Sequence, residues 1–204
     1  MGECCDSGAY DNKFGTRFAR RTARRYRSRG LNRTQQTIVD FVTQRRGLDG
    51  ASVLEVGGGV GDLHLELLRR GASKVTNLEL STGYEAEAAA LLSDSGMTDR
   101  VTRRQHDIAI DPEAVEPADV VVLHRVVCCY PDYPRLLTAA ASHAGRLLVF
   151  SHPPSTRVVR ASFALDNQVR RLRHDDFRAF VHPPAAMCSV AEAEGLTQRM
   201  HAHG

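Results

Sequence analysis

53-VLEVGGGVGDLHLELLRRG-71 is the stretch that decides the fold. A short β-prone run, Val53, Leu54 and Val56, enters a turn with glycines at 57, 59 and 61. It leaves into an amphipathic segment with Leu63, Leu67 and Leu68 on one face. That order is strand, tight turn, helix. Glycines lack a Cβ, so they accept positive φ and open the amides at the helix start to a nucleotide-like group. A dinucleotide fingerprint sets its third glycine three residues after its second. Here Val60 alone separates Gly59 from Gly61, and an acid, Glu55, precedes Gly57 by two.

The pattern Glu55-x-Gly57-x-Gly59-x-Gly61 resembles motif I of the class I S-adenosylmethionine (SAM) dependent methyltransferases. The resemblance implies that the turn cups the methionine moiety and ribose, with Glu55 near the sulfonium or amino group. It also implies a second acid at the end of the next strand for the ribose hydroxyls, and Glu79, closing the run from Lys74, stands there. A third strand near Val101 to Gln105 ends at His106-Asp107. Asp107 resembles the residue this family sets beside the adenine amino group, with His106 or Ile108 over the ring. The plainer alternatives are a structural glycine turn, a surface glutamate at 79 and a loop-capping carboxylate at 107.

Outward from this core, 204 residues fit one domain, with 1–50 as a helical substrate cover and 51–204 as the SAM-binding core. Hydrophobic content of 42% and charged content of 25% are ordinary for a soluble chain. No membrane-length apolar run or signal peptide is present, so a cytoplasmic protein is expected. The net charge of +3 is too small to imply nucleic acid by itself, and only Lys13 and Lys74 are lysines. Five cysteines are an odd number, with adjacent pairs at Cys4-Cys5 and Cys128-Cys129 and Cys188 alone. Adjacent cysteines suit a zinc ion poorly, and no metal site is expected. Cys4-Cys5 meeting Cys128-Cys129 in a lid is the sharper reading, unrelated cysteines the plainer one.

In chain order, a helix from Asp11 to Arg29 carries Phe14, Phe18 and Tyr26 among arginines, with Asp11 or Asn12 as N-cap and Gly30 as stop. Its arginines are a solvated face or an RNA- or anion-binding surface. A second helix runs from Asn32 or Arg33 to Arg46. Helices are also expected at Tyr84 to Leu92, Leu136 to Ala144, Thr156 to Arg173 and Ala185 to Glu194. The fourth strand, Asp119 to His124, is a continuous apolar run of the kind buried on both faces. The fifth spans Arg146 to Ser151, and Leu196 to Ala202 is a sixth.

Beyond the fourth strand, His124, Tyr130 and Asp132 are the hydrogen-bonding candidates, and His124 and Tyr130 are the expected catalytic pair. His152, held by Pro153-Pro154, aims at the same rim. Motif I, Tyr130-Pro131 and 178-RAFVH-182 resemble the magnesium protoporphyrin O-methyltransferases remotely. The fold this implies is an α/β, Rossmann-like, doubly wound, mostly parallel sheet with helices on both faces. The family's sheet has seven strands; here its C-terminal part is incomplete, and a second copy covering the fifth-strand edge would make a homodimer. The function implied is SAM-dependent methyl transfer to a small-molecule acceptor, without nucleic acid or membrane partners. An RNA methyltransferase using the basic arm and a non-catalytic SAM-binding subunit are the alternatives.

Overall fold

A computed structural model of the chain describes residues 7–45 and 48–198. Five strands form one sheet: β1 (Ser52–Val56), β2 (Lys74–Glu79), β3 (Val101–Gln105), β4 (Ala118–Leu123) and β5 (Ala144–Phe150). Their order is β3-β2-β1-β4-β5, and every neighbouring pair is parallel. This is the expected Rossmann-like α/β sheet. Its order reverses at β1, and ligands bind beyond the carboxyl ends of the strands at such a point.

Alternation along the strands explains the layers, since successive side chains point to opposite faces. Val53, Val75, Val120 and Val122 face α3 (Arg33–Gln44) and α4 (Asp62–Arg69), meeting Ile38, Val42, Leu63 and Leu67. Leu54, Val56, Val121 and Leu123 face the other way, toward Leu136 and Leu137 of α6 (Tyr133–Ser142) and Met187 of α8 (Pro184–Ala193). A third cluster joins Ala19, Ala23 and Tyr26 of α2 (Thr16–Arg29) to Leu91 and Leu92 of α5 (Glu85–Ser95).

The N-terminal arm departs from the single helix expected over Asp11 to Arg29. It is two helices, α1 (Ser7–Lys13) and α2, broken at Gly15. The break seats the arm on the loop after β2, where a Cβ on Gly83 would fall 2.7 Å from the Gly15 Cα. Asp11 is no cap; its Oδ1 accepts from the Ser81 hydroxyl and the Thr82 N–H, each at 2.8 Å. Gly30 ends α2 at φ 67° as expected. Asn32 caps α3, which ends at Gln44; the expected last residues Arg46 and Gly47 lie outside the described residues.

The C-terminal half shifts from expectation by a few residues. Helix α6 starts at Tyr133 because Pro134 is tolerated in a first turn and Asp132 accepts from Arg135 N–H at 3.2 Å. The 16-residue α7 (Arg157–Leu172) begins after its Thr156 cap. Leu196, Thr197 and Gln198 are not in a strand, so the expected sixth strand does not start there; 199–202 lie outside the described residues. Among the described residues, β5 therefore pairs only with β4. No described helix is long and apolar enough to cross a membrane.

Candidate functional site

The turn after β1 takes the conformation that its glycines allow: φ is 68° at Gly57, 55° at Gly59 and 87° at Gly61. Gly58 matters for a different reason. A Cβ there would lie 2.0 Å from Asn77 Nδ2 and 2.2 Å from Glu55 Oε2, so the loop rests directly on two buried polar side chains. Glu55 is 2% exposed, and its Oε2 is 2.5 Å from His64 Nδ1 and 3.3 Å from Asn77 Nδ2. The acid expected at a ligand's charged end thus lies beneath the loop, tied to a fully buried histidine of α4.

Glu79, at the carboxyl end of β2, holds the loop from the side. Its Oε2 accepts from Gly59 N–H at 2.8 Å, and its Oε1 accepts from Leu80 and Ser81 at 2.8 and 3.0 Å. Burial pushes its carboxyl above the usual range, against the pull of these donors. Arg103 of β3 completes the clamp, donating to the Gly59 carbonyl at 3.0 Å and to Glu85 at 2.8 Å. Asp62, first residue of α4, accepts from Gln35 at 2.8 Å, and burial raises its carboxyl too. Sequence reasoning missed Gln35, Asp62, His64, Asn77 and Arg103. Only Asp62 and His64 lie inside the motif, where the signal was a histidine between the apolar Leu63 and Leu65.

Tyr84 closes the loop's outer side. A Cβ on Gly59 would come 3.3 Å from its ring. Phe14 stacks on Tyr84 with centroids 6.4 Å apart and meets Phe177 edge-on at 5.4 Å, so the N-terminal arm covers this side with aromatic rings. Asp107 and Tyr130 belong together: the Tyr130 hydroxyl donates to Asp107 Oδ2 at 2.9 Å, and Oδ1 accepts from Ala109 N–H. Tyr130 is 4% exposed.

The loop after β4 abuts the glycine turn, because a Cβ on Gly57 would meet Val126 Cγ2 at 2.4 Å. His124 opens this loop with its Nδ1 2.9 Å from Ser151 Oγ, and Arg125 N–H donates to the same oxygen at 2.9 Å. Ser151 Oγ has two acceptor lone pairs and one donor, so either ring tautomer satisfies its contact with His124 Nδ1 beside the Arg125 N–H. The His124 Nε2 is buried without a hydrogen-bond partner. Burial, and next the Arg125 charge, bring the His124 pKa down to about 4, so the ring is neutral at pH 7. Arg125 itself sits at φ 61°, uncommon for a residue with a Cβ. A cavity of about 390 Å³ opens here, bounded by Arg25, Asn32, His124, Arg125, Cys128 and His152 among others. His152 thus reaches the rim expected of it. Cys4-Cys5 lie outside the described residues.

Likeness to known proteins follows this geometry. A curated protein-L-isoaspartate O-methyltransferase of Anaeromyxobacter dehalogenans (strain 2CP-C) is 35% identical over 122 residues, 59% of this chain and 56% of the relative. An arginine N(omega)-methyltransferase of Streptomyces achromogenes subsp. streptozoticus is 32% identical over 115 residues, 54% of this chain and 32% of that protein. The chain therefore spans little more than half the length of the first and about a third of the second. Among solved structures, magnesium protoporphyrin IX methyltransferase from Synechocystis PCC 6803 with bound S-adenosylhomocysteine superposes with a TM-score of 0.74 at 21% identity, covering 95% of this chain and 90% of that one. At that identity the likeness speaks for the fold. The family model described as a methyltransferase domain matches residues 19–204, and the chain belongs to that family.

Proposed function

We propose that the chain is a SAM-dependent methyltransferase acting on a small-molecule acceptor. The carrying observation is that one loop after β4 meets the glycine turn through Val126 and lines a cavity of about 390 Å³ with Arg125 and Cys128. Its size falls in the range of small-ligand sites, and its wall is part of the same rim as the turn. SAM supplies an electrophilic methyl group on a sulfonium centre. The residues fit such a cofactor. Gly57, Gly59 and Gly61 form a left-handed cradle, Glu79 keeps one acceptor site, on Oε2, for a ribose hydroxyl beyond its three backbone donors, and Asp107 keeps about two for an amine.

On this reading Glu55 supports the turn through His64 and Asn77, and Tyr130 orients Asp107. His124 is the residue that touches the acceptor. A neutral ring with its pKa near 4 is a weak base at pH 7, so the ring shapes the cavity wall against the acceptor, and transfer runs on proximity and alignment. Arg25 and Arg125 favour an acceptor with a negative group. Of the segment 1–50, the described residues from 7 onward cover the site, as the Asp11, Phe14 and Arg25 placements support. A cytoplasmic chain, free of membrane and nucleic-acid partners, accords with this reading.

The RNA alternative draws less support. Arg20 and Arg27 of the basic arm pair with Glu87 and Asp94 of α5, which leaves part of the arm as an intramolecular contact. The test is calorimetry with S-adenosylhomocysteine followed by labelled-methyl transfer from SAM to panels of small hydroxy and amino acids, RNA and protein. Labelling of small acceptors alone supports the proposal. No binding of S-adenosylhomocysteine overturns the cofactor, labelling of RNA alone the acceptor class, and binding without transfer to any panel leaves the non-catalytic subunit.

A further inference from the structure

The function above gives Cys128 no role beyond its share of the cavity wall, and Cys129 none. They lie on the 3-10 turn Val127–Cys129, directly beyond β4. Neighbouring side chains on a strand diverge to opposite faces. This turn brings them together instead: the two Sγ atoms are 3.7 Å apart, and each is 3.6 Å from the Arg125 carbonyl oxygen. The backbone is pinned from outside, since the Cys129 carbonyl accepts from the Tyr10 hydroxyl at 2.9 Å and the Cys128 carbonyl from Phe180 N–H at 2.7 Å. Cys128 lines the cavity.

The two thiols are also inequivalent. Their mutual hydrogen bond lowers the Cys128 pKa, and the same bond together with burial raises that of Cys129. One sulfur therefore gives up its proton readily beside a second that holds it, an arrangement that primes the pair for attack on a soft centre.

Geometry selects the kind of centre. With bonds of about 2.3 Å, the zinc–thiolate length, two sulfurs 3.7 Å apart close an angle of about 107°. A linear two-coordinate ion would need them about 4.6 Å apart. Among the described residues no group of three or more His, Cys, Asp or Glu side chains stands ready to hold a metal ion, so the centre must bring its remaining ligand with it. A trivalent arsenic carrying one organic group meets these demands: it is soft, pyramidal, and short of two sulfurs.

We propose that Cys128 and Cys129 form a two-thiol binding site for a monosubstituted trivalent arsenical at the wall of the cavity. From the oxide R–As=O, two As–S bonds form and the As=O bond is lost. The two thiol protons leave with the oxygen as one water, and arsenic stays trivalent. Binding is independent of SAM.

The probe is phenylarsine oxide on the full chain, read by intact mass. Cys4→Ser/Cys5→Ser protein, which keeps Cys188 as a single-thiol control, should gain one phenylarsenic group. The adduct should survive excess 2-mercaptoethanol and be removed by 2,3-dimercaptopropanol. Cys128→Ser or Cys129→Ser in that background should abolish the resistant adduct with S-adenosylhomocysteine affinity unchanged, which separates this site from the cofactor reading. In wild-type protein, tryptic mapping should find the adduct on the peptide 126–135, a readout that survives a misfolded variant. Absence of a resistant adduct in the Cys4→Ser/Cys5→Ser protein, its persistence in either further variant, or its location only on other peptides overturns the proposal.

Discussion

The β1–β2 side and the β4–β5 side of the sheet end at the same rim but hold their polar groups in different ways. On the first side Glu79 accepts three backbone N–H groups, Glu55 is locked to His64 and Asn77, and Arg103 grips the Gly59 carbonyl. On the second, Arg125 sits in a left-handed conformation, and its one unpartnered buried side-chain atom among the described residues, His124 Nε2, has counterparts on the first side in His64 Nε2, Asn77 Oδ1 and Arg103 Nη1. Helix α7, which follows β5 in the chain, contributes no buried residue. A cradle meant for one ligand gains from rigidity, because every ordered group is paid for before the ligand arrives. A wall meant for an acceptor keeps backbone strain, here at Arg125.

The largest test of this contrast is Gly58→Val. Any side chain at 58 collides with Asn77 and Glu55, which are both buried and cannot swing away. Overpacking of this kind costs roughly 1–3 kcal/mol or more, and here it displaces the loop as well. Calorimetry should find S-adenosylhomocysteine binding lost and thermal melting lowered. Near-wild-type affinity would mean that the loop does not rest on those side chains.

His124→Asn probes the second side through pH. The folded pKa of about 4 lies below the ordinary 6.5, so the unfolded chain takes up the proton first. Stability from this histidine is full above pH 6.5 and is lost as pH falls from 6.5 to 4, by about 3 kcal/mol in all. The raised carboxyls of Asp62 and Glu79 act oppositely, gaining stability on acidification, so the quantity to read is the difference between wild-type and variant denaturation curves. That difference should shift by this amount across the window; parallel curves would show His124 to be solvated.

Glu79→Ala removes the acceptor of three backbone donors, and the expected loss in S-adenosylhomocysteine affinity is roughly 1–3 kcal/mol. Glu79→Gln keeps one acceptor oxygen and should lose less. Equal losses would point to charge rather than hydrogen bonding as the carboxylate's contribution.

The same contrast explains what the sequence made legible. Strands β1 and β4 announce themselves through apolar residues such as 120-VVVL-123, and the glycine spacing marks the turn, because local pattern and tertiary burial agree there. The break at Gly15 was hidden, since it depends on Gly83 approaching from 68 residues away. His64 and Asn77 were hidden for a related reason: each is an ordinary polar residue until Glu55 is folded against it. The Cys128–Cys129 approach needed a turn where an extended segment would have parted them. Long-range partners, rather than weak patterns, account for these misses.

The smallest expected effect lies on α7. Its apolar residues recur at 158, 165 and 172, a spacing of two turns that reads in sequence as a core-facing stripe. In the structure that stripe faces outward: Val158, Leu165 and Leu172 are 78, 67 and 74% exposed. The helix is held from its other side, by Asn167 exchanging hydrogen bonds with Ala179 at 2.7 and 3.0 Å and by Arg170 bonding Asp175 over the Phe177 ring. Anchored in this way, α7 gains nothing from Leu165, and Leu165→Lys should change urea-unfolding stability by no more than about 0.5 kcal/mol, the usual span for surface positions. Leu165→Lys also separates two accounts of the stripe. A change within that span, identical at low and high protein concentration, marks it as solvent-facing. A larger loss that grows with protein concentration would mean that a second copy of the chain covers α7, and the looser side of the sheet would then owe its order to an interface.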